Sequence, residues 1–235
     1  MQKKEIISLE GISKTYSQGA VSVHALDGIS FKVHEGERVS IVGPSGCGKS
    51  TLLHILGLLD VPTGGKLFLD GTDVHSLNEQ QLAHFRGKKI GFIFQSFFLI
   101  PSMDALSNVA LPMMFYDVPE HARLHKAQLM LERLGMGERM HHLPSELSGG
   151  QRQRVAIARS LVNSPSVLLA DEPTGNLDSR SGEEVLKIFD ELSAEGKTII
   201  TVTHDPNIAR MSKRVIRLKD GHIESDEKKE TARKR

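Results

Sequence analysis

The sequence is short of the features that most readily place a protein. It has a single cysteine, Cys47, so no internal disulfide can form, and a reducing compartment is expected. It has no surplus of either charge. Its 30 Lys and Arg stand against 29 Asp and Glu, which argues against a polyanion-binding surface and leaves nucleic acid off the list of expected partners. It also lacks a long apolar run. The greasiest stretch, Ile90 to Pro101, is too short to span a bilayer and is interrupted by Gln95 and Ser96. The first residues, Met1 to Ile6, run into a mixed polar strand and not an apolar signal core. A soluble protein is expected. With 39% hydrophobic and 25% charged residues, 235 residues are enough for one compact unit with a subdomain.

What is present is concentrated in a few stretches. Gly43-Pro44-Ser45-Gly46-Cys47-Gly48-Lys49-Ser50-Thr51 fits G-x-x-x-x-G-K-[ST], the phosphate-cradling loop of nucleoside triphosphatases. Arg38 to Val42 before it reads as a strand, and Leu52 to Leu56 after it as a helix, which is the setting the motif requires. The glycines let backbone N–H groups turn inward, and the helix N-terminus adds positive potential. In such a loop Lys49 reaches the β- and γ-phosphates and Ser50 ligates Mg²⁺. The thiol of Cys47, set among these donors, is expected to be reactive.

From Ile6 to Val42 the pattern is strand-like, with Ile29, Phe31 and Val33 alternating with Ser30, Lys32 and His34. Lys66 to Leu69, a turn at Asp70-Gly71 and the residues from Thr72 suggest a small antiparallel sheet beside a nucleotide core. Ile90 to Phe94 suits a buried strand. Helical character follows from Phe97 to Pro144, and further strands are expected at Val167–Ala170 and Thr198–Thr203, with a helix from Glu183 to Ala194 between them. The core is expected at 1–95 and 160–224, a helical insert at 96–159, and a charged, disordered tail at 225–235. His121 and His125 are spaced like zinc ligands but have no adjacent Glu, so a metal site is not expected there.

The decisive stretch is Leu147-Ser148-Gly149-Gly150-Gln151, running into Arg152 to Arg159. Ser148 is a good N-cap, and two glycines expose backbone donors at a helix start, which makes a second anion site. One nucleotide does not need two such sites from one molecule, so the second is expected to complete the pocket of another copy.

These residues resemble the signature motif of the ATP-binding cassette (ABC) ATPases, and the likeness runs over nearly the whole chain. It extends to Tyr16 (adenine stacking), Gln95 (the glutamine loop), Val167 to Asp171 with Glu172 (the Walker B strand and catalytic Glu), Asn176-Leu177-Asp178 (the D-loop) and His204 (the switch histidine). Ala170 to Asp178 and Leu56 to Gly65 are similar to the lipoprotein-release and macrolide-export branch, LolD/MacB-like and related to the FtsE type. A kinase or GTPase with the same phosphate loop would not carry Leu147 to Gln151.

The resemblance implies an α/β P-loop NTPase (RecA-like) core with a small antiparallel β subdomain and a helical insert. It implies a head-to-tail homodimer around two ATP, Ser148, Gly149, Gly150 and Gln151 of each copy facing the ATP of the other. Asp171, Gln95 and Ser50 would hold Mg²⁺, Glu172 would polarise the attacking water, and His204 would donate to the γ-phosphate. The partner implied is a separate FtsX/MacB-type permease at the cytoplasmic face of the cell membrane, with a periplasmic or extracellular adaptor beyond it. The work driven is export or lipoprotein release; the alternative is control of cell-wall enzymes through the permease without transport. The apolar groups at Phe97, Phe98, Met113, Met114, Phe115 and Tyr116 are expected to leave an exposed patch for that permease.

Overall fold

A computed structural model describes residues 3–18 and 21–229. Its contacts divide the chain into two compact units, Met1–Ala83 with Gly196–Arg235, and His84–Glu195. In chain order come β1 (Glu5–Gln18), β2 (Val21–His34), β3 (Arg38–Val42), α1 (Lys49–Leu56), β4 (Gly64–Leu69) and β5 (Thr72–Asp73). Helix α2 (Glu79–Lys89) leads to β6 (Ile90–Phe94), α3 (Ala105–Ala110), α4 (Glu120–Arg133), α5 (Gly149–Leu161), β7 (Val167–Asp171) and α6 (Ser179–Ala194). The chain then returns to the first unit with β8 (Thr198–Val202), α7 (Pro206–Met211), β9 (Arg214–Lys219) and β10 (His222–Lys228).

In the first unit, β2-β1-β4-β5 form the expected antiparallel sheet. The two-residue period of β2 explains its placement: Ile29, Phe31 and Val33 are buried while Ser30 and Lys32 are exposed. The second sheet of this unit is built on β3, whose five residues are all buried. It pairs in parallel with β8 on one side and β9 on the other, as a strand covered on both faces should. Val39, Ile41, Ile199, Ile200, Ile216 and Leu218 are each at most 1% exposed, and each contributes about 1.5–3 kcal/mol by leaving water.

The expected disordered tail is corrected in part. Residues 225–228 belong to β10, which pairs antiparallel with β9 through Asp226↔Ile216 and Lys228↔Arg214. Charge density suggests disorder because it hides the partners: Arg214 donates from Nε and Nη2 to both oxygens of Asp226 at 2.7 and 2.6 Å. Its Nη1 donates to the Lys32 carbonyl at 2.6 Å and to Glu37 at 3.2 Å. Hydrogen bonding to Asp226 outweighs burial and raises the guanidinium's proton affinity further. Residues 230–235 of the expected tail lie outside the described residues.

The second unit contains the helical stretch expected at 96–159 together with β6, β7 and α6. Strands β6 and β7 pair in parallel from Ile90↔Val167 to Phe94↔Asp171. Helix α6 buries Val185, Phe189 and Leu192, one stripe at helical spacing, and Asp178 caps its start by accepting from the Ser181 N–H. Of the aromatic and methionine cluster, Met113 is buried, whereas Phe98, Met114 and Phe115 are 63%, 53% and 73% exposed.

Phe189 is the largest fully buried side chain, so Phe189→Ala should cost about 3–5 kcal/mol. Urea denaturation followed by circular dichroism measures it; a loss below ~1 kcal/mol would mean the α6 stripe is not a packed core.

Candidate functional site

In the first unit the phosphate loop connects β3 to α1 as the sequence requires. Gly48 caps α1 with φ 100°, and a Cβ there would stand 2.4 Å from the Ala25 carbonyl oxygen, so no side chain fits. Its carbonyl accepts the first helical bond from the Leu52 N–H at 2.9 Å. The Lys49 ammonium lies within the curve of the loop, donating to the carbonyls of Gly43 at 2.9 Å and Pro44 at 2.7 Å. Pro44, Ser45, Gly46 and Ser50 are exposed or half-buried and Thr51 is half-buried, so the loop presents its backbone and hydroxyls outward. The expectation of a reactive Cys47 fails on access. The residue is 2% exposed, and its carbonyl is taken by the Gly221 N–H at 3.2 Å.

Two further expected residues stand in the same unit. Tyr16 is on β1 opposite Val23, 42% exposed, with its hydroxyl donating to Asp60 at 2.7 Å. His204 is exposed, two residues beyond the end of β8, and shares with Gly43 and Pro44 the wall of a cavity of about 380 Å³. The Thr203 N–H before it is anchored on the Ile41 carbonyl at 3.1 Å.

In the second unit the ends of β6 and β7 are neighbours by register, so Gln95 and Glu172 each follow a paired strand end. Asp171, the last residue of β7, is half-buried. Glu172 adopts φ 44°, a left-handed backbone that costs a non-glycine residue about 1–3 kcal/mol. Two residues support this region, Gln153, which the sequence reading does not single out, and Asn176 of the expected D-loop stretch. Gln153 of α5, fully buried, donates from Nε2 to the Pro173 carbonyl at 2.7 Å. Asn176 accepts from Gln95 Nε2 at 3.1 Å and donates to the Gln95 carbonyl at 3.1 Å. That pairing uses one of the two N–H donors of the Gln95 amide. A buried Gln on a helix face otherwise apolar is the available signal for Gln153.

The glycine-rich start of α5 is capped as expected, and reciprocally. Ser148 Oγ accepts from the Gln151 N–H at 3.3 Å, and Gln151 Oε1 accepts from the Ser148 N–H at 2.9 Å. Gly149 and Gly150 lie against Leu177 and Ser181. Asp178 is used locally: its carboxylate accepts from the Ser181 N–H at 3.0 Å and hydroxyl at 2.7 Å, which hold it below the ordinary carboxylate range. Among the described residues no three His, Cys, Asp or Glu side chains gather as a metal cage.

The sequence matches the ABC transporter family over residues 26–175. It is 50% identical over 226 residues to an uncharacterized ABC transporter ATP-binding protein of Thermotoga maritima, covering 96% of this chain and 97% of that one. It is 51% identical over 223 residues to a macrolide export ATP-binding/permease protein MacB of Bdellovibrio bacteriovorus, covering 95% of this chain but 34% of the relative. The chain thus spans about a third of the length of that relative. Among solved structures, a dimeric post-hydrolysis ATP-binding cassette bound to ADP and Pi matches with a TM-score of 0.88 at 43% identity, over 96% of this chain and 100% of the other.

The contact at α5 can be tested by packing alone. A Cβ on Gly150 would stand 2.8 Å from Ser181 Cβ and Oγ, so Gly150→Ala should destabilise by about 1–3 kcal/mol. In a Ser181→Gly background the cost should fall by at least half, read as the coupling in a denaturation double-mutant cycle. Equal costs in both backgrounds would refute the contact.

Proposed function

The chain belongs to the ABC transporter family, and on that premise we propose that it is an ATPase subunit whose two copies close head-to-tail over two ATP molecules. The carrying observation is that each unit presents its own glycine-tight helix N-terminus. Gly48 opens α1 in one unit, and Ser148 with Gly149 and Gly150 opens α5 in the other. Both are built to face anions with backbone N–H groups. The dimeric form of the solved relative supports pairing the α5 terminus of one copy with the ATP on the phosphate loop of the other.

In this reading Gly43 to Thr51 wrap the phosphates, and Lys49 moves its ammonium from the loop carbonyls to the β- and γ-phosphate oxygens. Tyr16 offers its exposed ring to the adenine. Ser50, the Gln95 side-chain oxygen and Asp171 are hard oxygen donors with a single carboxylate among them. That set fits Mg²⁺, which keeps substrate phosphates and waters in its shell, and not an all-protein cage. A Mg²⁺ held by these residues would supply positive charge to offset that of the phosphates. Glu172 accepts a proton from the attacking water, and His204 donates to the γ-phosphate oxygens as charge moves onto them. The products are ADP and phosphate.

No helix among the described residues is long and apolar enough to cross a membrane, so membrane work falls to other residues. We assign it to an FtsX/MacB-type permease, with this subunit at its cytoplasmic face. The exposed Phe98, Met114 and Phe115 support a docking surface for it. The MacB relative's name supports export. Lipoprotein release through an adaptor, or control of cell-wall enzymes without transport, would use the same cassette, and the permease that co-purifies distinguishes them.

Glu172→Gln keeps the shape of the side chain and removes its basicity. It should bind ATP normally and hydrolyse it at least ~100-fold more slowly. Phosphate release gives the rate, and size-exclusion chromatography with MgATP should show a longer-lived dimer. A variant that stays monomeric at saturating ATP and turns over at the parent rate would refute the assignment.

A further inference from the structure

Lys14 is a charged residue on β1 that is only 8% exposed. A buried ammonium is costly unless it is paired, and this one is fully engaged. Its Nζ donates to Asp60 Oδ1 at 2.6 Å and to the Val61 carbonyl at 2.7 Å. Both oxygens of Asp60 are engaged in turn. Its Oδ1 also accepts from the Val61 N–H at 2.7 Å, and its Oδ2 accepts from the Tyr16 hydroxyl at 2.7 Å. The Lys14 ammonium also lies over the Tyr16 ring, 4.9 Å from its centroid. One aromatic side chain is thus gripped twice, at its hydroxyl and on its ring, by two residues from different parts of the chain.

The grip is unusual for a tyrosine with 42% of its surface exposed. A ring so exposed is ordinarily free to change rotamer, and a ligand that stacks on it must bear the cost of ordering it. The position of Asp60 adds a second consequence. Helix α1 starts at Lys49 in the phosphate loop and ends at Leu56, and the Asp60 N–H returns to the His54 carbonyl at 3.3 Å. The Asp60–Tyr16 bond therefore ties β1 to the far end of the helix that begins at the phosphates. Resting on the reading of Tyr16 as the adenine platform, we propose that Asp60 and Lys14 are positioning residues. They preset the Tyr16 ring for the base and link base recognition to the helix that carries the phosphate grip.

The protonation of the cluster agrees. Burial opposes charge on Asp60, yet the hydrogen bonds from Lys14, Tyr16 and Val61 bring its carboxyl below the ordinary range. Burial and the bond to Asp60 push the Tyr16 hydroxyl up and outweigh the opposing side-chain bond with Thr51, so it remains a donor.

Calorimetric titration of the full chain with MgATP and with Mg-tripolyphosphate, which has phosphates but no base, separates positioning from general support. Asp60→Ala and Tyr16→Phe should each weaken MgATP about five-fold and leave tripolyphosphate within about two-fold. Tyr16→Phe/Asp60→Ala should lose clearly less than the sum of the two single losses, because each single variant already breaks the Tyr16–Asp60 bond. Lys14→Met/Asp60→Leu removes both charges without stranding one, should lose ATP selectively in the same way, and decides the matter where Asp60→Ala does not fold. Equal weakening of both ligands, additive losses in the double variant, or parent-like ATP affinity in Tyr16→Phe overturns the proposal. Tyr16→Ala tests the reading beneath it. Parent-like ATP binding by that variant rejects adenine stacking itself, whereas an ATP-selective loss in Tyr16→Ala alone rejects only the positioning.

Discussion

The backbone at Gly48 passes so close to the Ala25 carbonyl that only hydrogen fits between them, and much of the first unit is arranged around that approach. Ala25 to Asp27 lie on β2, so the antiparallel sheet is brought against the phosphate loop at its tightest point. The β9–β10 turn joins the same place: the Asp27 N–H bonds the Gly221 carbonyl at 2.9 Å, and the Gly221 N–H bonds the Cys47 carbonyl at 3.2 Å. Three segments far apart in sequence thus meet through backbone groups. Side chains can drift over evolutionary or thermal change, but these contacts depend on main-chain geometry and on the absence of a Cβ. Such a frame holds the curve of the Gly43–Thr51 loop fixed.

The second unit holds its chemistry in place by strain and counter-strain. Phe97 and Phe98, directly after the Gln95 turn, take φ 61° and 48°, and Glu172 takes 44°. Such backbones persist only where their surroundings over-determine them. Arg159 of α5 does this for the first pair, donating to the carbonyls of Phe98 at 2.6 Å and Phe97 at 2.7 Å, while Arg152 lies over the Phe97 ring. Gln153 does it for the turn after Glu172. One helix, whose N-terminus carries the Ser148 cap, therefore also fixes the two turns that bear Gln95 and Glu172. A shift of α5 is not a local event.

What is legible in the sequence is written in contiguous residues. Gly43 to Thr51, the strand before them and the helix after, the Ser148 cap and the α6 stripe all follow from spacing and residue type, and the structure has them in those places. What is not legible depends on partners far along the chain. Lys14 and Asp60 are 46 residues apart, and nothing local marks either as half of a buried pair. The orientation of the Gln95 amide is decided by Asn176, 81 residues on. The strand at 225–228 is obscured by its own charges, which suggest solvent until Arg214 and Glu37 are seen to answer them. Cys47 misleads because a motif specifies which residues are present but not which of them face inward.

The clamp on β10 has a mechanical consequence. Lys228 pairs with Arg214, and the Lys229 N–H bonds the Lys213 carbonyl at 2.8 Å, so the chain leaves the ladder at the end where β9 begins. A pull on residue 230 away from the sheet and along the strand would load the β9–β10 hydrogen bonds in shear, many at once, with the Arg214–Asp226 fork as a rivet. A pull across the strand would peel them one at a time. Because β9 is paired with β3, whose end becomes the Gly43–Thr51 loop, traction in the first direction would be carried toward that loop, while traction in the second would be lost to unzipping.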